Sequence, residues 1–494
     1  METILGVDRR VLDRARISRD SRFDGKFFIA VTTTRIYCRP VCPVPSAKQC
    51  NVRYYATAAA AAEAGYRPCL RCRPEAAPGT PAWLGTSAVV RRALRLIHEG
   101  ALDEVSVEDL ATRVGVGARH LHRLFLRHVG ASPLAVAQTR RLHFAKRLLD
   151  ETDLPVTQIA LASGFGSLRR FNDAFHQTYK RSPRELRKRR RGGINGDRGS
   201  EVVLRLSFRP PYDWDHVCQF LAARAMPGVE RVDECGYVRT VACDDGHATV
   251  RVSRLEDEHA LELRVEGAPP GALFQISSNA RRAFDLSADP AVISSALRSD
   301  PLLGPLVKAR PGLRIPGAWD PFECAVRAVL GQQVSVAAAR TLAARVVARA
   351  GTPIETTADG LTHLFPSPGA LAAADLGGLG ITGARIGALH ALARAVMEGR
   401  LDFGASVDDV AAALAQLPGF GEWTAQYVAL RALGEPDAFP AADLVLRRVA
   451  APNGAPLKER ALTERAERWR PWRGYAVFHL WRSAAPPPVR KAAN

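Results

Sequence analysis

Four cysteines in the first 72 residues have the spacing of a metal site. Three residues separate Cys38 from Cys42, two separate Cys69 from Cys72, and 26 lie between the pairs. Two close pairs joined by a loop can close a tetrahedral four-thiolate site of the kind zinc occupies. A segment this small also gains from such a staple. A metal-held thiol stays deprotonated, so the four residues admit both a structural clip and a reactive sulfur. Cys50 lies outside the set and has no assigned role. Far downstream, Asp443 opens the helical pattern "DLVLRR" after the glycine turn "LPGFG" (417–421). Alone, such an aspartate reads as a helix N-cap. Beside a DNA-binding hairpin it can stabilise positive charge developing on a sugar.

These residues need scaffolds, and 494 residues suffice for about three or four domains. Hydrophobic and charged shares of 47% and 24% are those of a soluble globular protein. No apolar run reaches the roughly 18 residues of a spanning helix, so no membrane association is expected. The N-terminus mixes both charges and has no apolar signal core, which predicts a cytoplasmic, nucleoid-associated protein. An odd number of cysteines in such a chain argues against a disulfide framework. The net charge of +19 is concentrated: residues 1–200 hold 36 Lys+Arg against 18 Asp+Glu, residues 201–494 hold 33 against 32. Such an asymmetry is the footprint of a polyanion-binding first part.

The chain divides by pattern. A cysteine-rich segment spans 1–77, and a Pro/Gly stretch at about 74–82 reads as a linker. A helical region covers 83–190, and a basic, glycine-rich linker covers 191–200. Residues 201–280 carry period-two strands such as "VVLRLSF" and "ATVRVSRL" around one helical piece. Helical periodicity with Gly/Pro breaks fills 281–484, and 485–494 reads as a disordered tail.

The strings "FFIAVTTTRIYCRPVCP" and "NVRYYATAAAAAEAGYRPCLRCRP" resemble the N-terminal methyl-acceptor domain of the Ada alkylation-response regulators, over about 23–74. The resemblance implies one zinc ion on Cys38, Cys42, Cys69 and Cys72. It also implies that Cys38 takes a methyl group irreversibly from a DNA methylphosphotriester. S-methylation removes negative charge facing DNA and would strengthen binding there. The family carries arginines after the second cysteine, where this chain has "PVPS" (Pro43–Ser46). Backbone contact is therefore expected from Thr34, Arg39, Lys48 and Arg67.

"VSVEDLATRVGVGARHLHRLFLRHVGASP" and "PVTQIALASGFGSLRRFNDAFHQTYKRSP" share one plan of helix, glycine turn, amphipathic helix and Ser-Pro stop. Ser106 with Asp109 forms a box-like N-terminus, and Ser167 can cap the later helix. The pair resembles the AraC-family DNA-binding domain over roughly 90–188. That resemblance implies second helices in successive major grooves, with Arg119, His120, Arg123, Ser167, Arg169 and Arg170 as contact candidates.

"LPGFGEWTAQYVALRALG" (417–434) has the form of a helix-hairpin-helix, in which Gly419 and Gly421 allow main-chain N–H groups to hold a phosphate. With "GAWDPFECAVRAVLGQQVSVAAA" and "ERWRPWRGYAVFHLW" it resembles the AlkA type of 3-methyladenine DNA glycosylase, from about 201 to 484. The resemblance implies catalysis by Asp443, a base pocket of Trp423, Tyr427 and Trp481, and a DNA-inserting wedge at Gln333, with Gln332 beside it as a DNA contact. It also implies a structural monovalent cation at the hairpin. Trp423 stands where strand-cleaving relatives place a lysine, and no cysteine follows Cys324, so a monofunctional enzyme without an iron–sulfur cluster is expected.

The expected fold class is multidomain. It comprises a small zinc-stabilised α+β domain, an all-α AraC-type double helix-turn-helix, an α+β TBP-like subdomain and an all-α helix-hairpin-helix glycosylase domain. The expected function is an alkylation response combining methyl transfer, transcription activation and excision of alkylated bases. Its expected partners are double-stranded promoter and damaged DNA and RNA polymerase, with the chain a monomer. The competing readings are a regulator whose C-terminal domain binds damage without cutting, and a pure glycosylase with a structural zinc arm.

Overall fold

Alternation in "FFIAV" puts successive side chains on opposite faces of a strand, and the N-terminal sheet uses both faces. In the computed structural model, β1 (Phe28–Val31), β2 (Ile36–Cys38), β3 (Val52–Tyr55) and β4 (Arg67–Pro68) lie in the order β3-β1-β2-β4. Only the β2–β4 pairing is parallel. Helix α1 (Arg9–Ile17) buries Leu12 against Phe27, Ile29 and Tyr54. On the other face, Phe28, Ala30 and Tyr37 pack with Ala61 of helix α2 (Ala58–Glu63). Each cluster is small.

The structure describes residues 3–4, 7–78, 88–98, 100–190, 201–244, 246–356, 358, 360–451 and 455–484. The expected linker at 191–200, part of that at 74–82 and the expected tail at 485–494 lie outside these residues.

The next region is helical: α3 (Ala88–His98), α4 (Val107–Arg113), α5 (Ala118–His128), α6 (Pro133–Glu151), α7 (Val156–Ala162) and α8 (Leu168–Tyr179). Ser106 and Asp109 form the full reciprocal capping box on α4. The Ser167 side chain caps α8 by accepting from the Arg170 N–H. Phe171, Phe175 and Tyr179 recur every four residues on the buried face of α8, leaving Arg169 and Arg170 exposed. Helix α6 is the 19-residue spine onto which the cysteine-bearing domain docks. The Tyr37 hydroxyl is hydrogen-bonded to His143 Nε2 at 3.0 Å. Arg73, next to Cys72, pairs with Asp150 at 3.1 Å and Glu151 at 2.9 Å.

Residues 202–266 form an antiparallel sheet of β5 (Val202–Ser207), β6 (Glu230–Asp233), β7 (Gly236–Cys243), β8 (Gly246–Arg254) and β9 (Ala260–Glu266), in the order β5-β9-β8-β7-β6. Helix Trp214–Arg224 falls where the helical piece was expected. Edge strand β6 was not foreseen, because "ERVD" is too short and too charged to carry a readable alternation. Helix α9 (Leu273–Ala283) packs Leu273, Ile276 and Ala280 into the same core. The helical remainder includes α10 (Val407–Ala415), α11 (Glu422–Arg431), α12 (Leu444–Val449) and α13 (Arg473–Ala484). Among the described residues, no helix is long and apolar enough to cross a membrane.

The N-terminal and C-terminal parts touch directly. The Asp24 carboxylate pairs with Arg39, while the Asp24 carbonyl accepts from Arg209 Nε at 3.0 Å. Arg209 also donates to the Ser287 carbonyl at 2.9 Å, and Lys26 pairs with Asp289 at 2.5 Å.

Candidate active site and metal centre

Asp443 is the N-cap of α12, and its carboxylate collects three N–H donors. Oδ1 accepts from the Leu446 N–H at 3.0 Å and from Trp481 Nε1 at 3.1 Å. Oδ2 accepts from Trp423 Nε1 at 3.0 Å. One side chain thus caps α12 and still presents its carboxylate to two indoles. Helix α11 contributes Trp423 and Tyr427, α12 contributes Asp443 and α13 contributes Trp481, so three helices converge on one carboxylate. The Trp423 and Tyr427 rings stack at 5.2 Å and 16°, and Trp481 lies 6.3 Å from Tyr427. The three aromatics singled out in the sequence therefore meet.

The sequence reading missed the shell behind them. Phe478 stands edge-on to Trp481 at 5.2 Å, and Phe220 packs on Phe478 at 5.3 Å. Arg431 donates to the Tyr427 hydroxyl at 2.8 Å and fixes that ring. Phe478 precedes Trp481 by three positions, a helical spacing that could have flagged it. Phe220 sits in the strand-rich part and had no local signal.

The hairpin between α10 and α11 turns at Gly419, whose φ of +80° suits glycine, with Phe420 buried beneath it. Gly421 is the N-cap of α11. Gln332 donates to the Gly419 carbonyl at 2.7 Å and to Thr424 Oγ1 at 3.1 Å. Its amide is therefore committed to holding the hairpin rather than free for DNA. Gln333, the next residue, is exposed with φ +54°.

At the other end of the chain, the sulfurs of Cys38, Cys42, Cys69 and Cys72 all lie within 4.8 Å of one another. Tetrahedral zinc with bonds of about 2.3 Å sets sulfurs about 3.8 Å apart, so the cluster fits that ion. Cys69 and Cys72 are buried, whereas Cys38 and Cys42 are half-buried and reach the surface side. The Arg39 N–H donates to Cys72 Sγ at 3.4 Å. Its guanidinium is committed to Asp24 and to the Cys72 carbonyl, so it braces the cluster instead of standing free for a phosphate. Thr34 and Lys48 are exposed and Arg67 is half-buried. Beside the "PVPS" stretch, Arg19 donates to the Pro43 carbonyl at 3.2 Å and Arg16 to the Ala47 carbonyl at 3.0 Å. Arg119, His120 and Arg123 lie exposed on α5, with Arg123 and His120 in contact at 3.0 Å.

Four family models match in series. They are the metal binding domain of Ada (12–75), a helix-turn-helix domain (110–189), the AlkA N-terminal domain (203–320) and the HhH-GPD superfamily base excision DNA repair protein (326–473). The chain is 44% identical, over 95% of both chains, to a probable bifunctional transcriptional activator/DNA repair enzyme AlkA of Mycobacterium tuberculosis. Its C-terminal 56% is 38% identical to 95% of the Escherichia coli DNA-3-methyladenine glycosylase 2. A stretch covering 30% of the chain is 38% identical to 40% of the Escherichia coli bifunctional transcriptional activator/DNA repair enzyme Ada. Among solved structures, a 3-methyladenine DNA-glycosylase from Archaeoglobus fulgidus shares the fold, with TM-score 0.50 and 23% identity over 56% of this chain and 97% of that one.

Proposed function

Because the chain belongs to the family of bifunctional transcriptional activator/DNA repair enzymes, we propose that it excises alkylated bases of the 3-methyladenine type with Asp443 and accepts a methyl group from DNA methylphosphotriesters on Cys38. The observation that carries the first activity is the Asp443 carboxylate held by two indoles beside the stacked Trp423 and Tyr427 rings. A base alkylated on a ring nitrogen is cationic and leaves readily. Trp423, Tyr427 and Trp481 favour that cation over neutral bases by roughly 0.5–2 kcal/mol per good contact. The base must first be flipped from the duplex, which is easiest for damaged nucleotides. Asp443 then stabilises the oxocarbenium-like sugar and orients the water that replaces the base. The hairpin at Gly419–Gly421 holds the DNA backbone without reading sequence, and its main chain would take the structural monovalent cation.

For methyl transfer, bound zinc keeps the four thiols deprotonated at neutral pH. Cys38 attacks the methyl carbon, the S–C bond forms as the C–O bond breaks, and the phosphodiester leaves with its negative charge. Thr34, Lys48 and Arg67 hold the backbone during that step. The methylated site carries one less negative charge against DNA, which strengthens promoter binding through Arg119, His120, Arg123, Ser167, Arg169 and Arg170. A monomer engaging RNA polymerase from that promoter completes the reading.

One incubation tests both activities. DNA carrying labelled methyl groups is exposed to the full-length protein, free base is quantified, and the protein is digested for mass spectrometry. Release of labelled 3-methyladenine with label on the Cys38 peptide supports the proposal. Label on Cys42 instead, or no free base, overturns the corresponding half.

A further inference from the structure

Helices α6 and α9 face each other across a cavity of about 840 Å³, lined by the cysteine-bearing, DNA-binding and glycosylase parts. Helix α6 presents Arg140, His143, Phe144 and Arg147 to it, a spacing that keeps all four on one face. Helix α9 answers with Phe274, Ser278 and Arg281 at the same spacing. At one end the aromatics close the gap: Phe144 meets Phe274 edge-on at 5.1 Å, and the Arg140 guanidinium lies 4.1 Å over the Phe274 ring. The other end is cationic.

The cations lining the cavity are unequally compensated. Arg140 pairs with Asp103, while Arg147 donates to the Arg205 carbonyl at 2.7 Å and lies 3.8 Å from Glu151. The Arg281 guanidinium has no hydrogen-bond or ion-pair partner among the described residues, and its Nη2 is shut off from solvent. Burial, with Arg147 and Arg209 as like-charged neighbours, pushes it down to about 9. Lining carboxylates do not answer it. Glu75 faces Lys146 and Arg73, Asp285 accepts from Tyr475 and the Ile315 N–H, and Asp437 holds Arg473. A half-buried guanidinium with no counter-charge among the described residues is costly to keep, and a bound anion removes that cost.

We propose that this cavity binds a small phosphate-bearing anion, held by Arg281 and Arg147 with the Ser278 hydroxyl as a neutral donor. Guanidiniums match phosphate oxygens in pairs, and two of them call for a ligand with more than one negative charge. The volume accommodates a mononucleotide. A DNA backbone offers the same chemistry, but Arg281 and Arg147 line a cavity between parts of the chain rather than an open face. Because its two walls belong to different parts of the chain, the ligand would lock the DNA-binding and glycosylase parts together.

The test uses full-length protein and inorganic pyrophosphate, with sodium chloride controls of matched ionic strength. Calorimetry should show saturable binding, and thermal unfolding should shift upward. Arg281→Gln should weaken binding by about tenfold or more, and Arg281→Lys by less. Ser278→Ala, a milder change, should weaken it several-fold. Absence of saturable binding beyond the chloride control overturns the proposal, as does wild-type affinity in both Arg281→Gln and Ser278→Ala. Displacement of pyrophosphate by a short undamaged duplex would overturn the assignment to a free anion.

Discussion

Trp481 Nε1 donates to Asp443 Oδ1 at 3.1 Å across 38 residues of chain, and Trp423 Nε1 matches it on Oδ2 at 3.0 Å. Each indole is thus both a wall of the proposed base cage and a tether on the carboxylate. Trp423→Phe and Trp481→Phe keep an aromatic wall and delete only the tether. A hydrogen bond to a charged group is worth about 1.5–3 kcal/mol, so kcat for base release should fall about 10- to 100-fold with a smaller change in KM. A change confined to KM would assign the indoles to base binding alone.

Asp443→Asn should separate capping from chemistry. Asparagine caps helices about as well as aspartate, so the melting temperature should hold within a few degrees. Base release should drop about 100-fold or more, because an amide cannot stabilise a cationic sugar. Unchanged release of 3-methyladenine from methylated DNA would remove Asp443 from the mechanism.

Gln332→Ala should act at a distance from the base. It deletes both donors that tie the segment before Gln333 to Gly419 and Thr424. Affinity for DNA containing an abasic-site analogue should weaken about 5- to 10-fold, while single-turnover release at saturating protein stays near wild type. A lowered single-turnover rate with unchanged affinity would contradict this division.

Chelation should divide the activities. The cysteine-bearing domain has two small cores on opposite sheet faces, too little to fold unaided, and a four-thiolate zinc site supplies on the order of 10 kcal/mol of folding free energy. A strong chelator should abolish methyl acceptance and add an early unfolding transition. Base release should stay within about twofold, since no residue of that site belongs to the metal cluster.

Acid should destabilise the chain through its buried histidines. His143, His216 and His479 are held at about 4, each chiefly by burial, below the ordinary 6.5. The unfolded chain therefore takes up these protons first. Their contribution is complete above about pH 6.5 and is lost as the pH falls towards 4, by up to about 3 kcal/mol per histidine. The melting temperature should fall between pH 7 and 5, and His143→Gln should blunt that fall. A flat profile over this range would contradict the assignment.

Local geometry was legible in the sequence wherever a motif carries its own spacing. The four cysteines, the Ser106–Asp109 box, the Gly419 turn and the Asp443–Trp423–Tyr427–Trp481 set all stand where their spacing and resemblances put them. Legibility failed where a side chain's partner lies far along the chain. Arg39 reads as a free cation until Asp24 is beside it, and Gln332 reads as a DNA contact until the hairpin claims its amide. Phe220 and Arg431 support the cage from elements with no motif of their own.

The contact at Asp24 bears on how such a fusion can be taken apart. Relatives exist that match only the front or only the back of this chain, which suggests beads on a string. Yet Asp24 grips Arg39 with its side chain and Arg209 with its main chain, and Lys26 reaches across to Asp289. Severing the gene between the halves would take the Asp24 carbonyl from Arg209, which keeps the Ser287 carbonyl, and the Asp289 carboxylate from Lys26, opening the seam between them. Expressed separately, each half should need that seam redrawn, with apolar replacements at Arg209 and Lys26 as the first stitches.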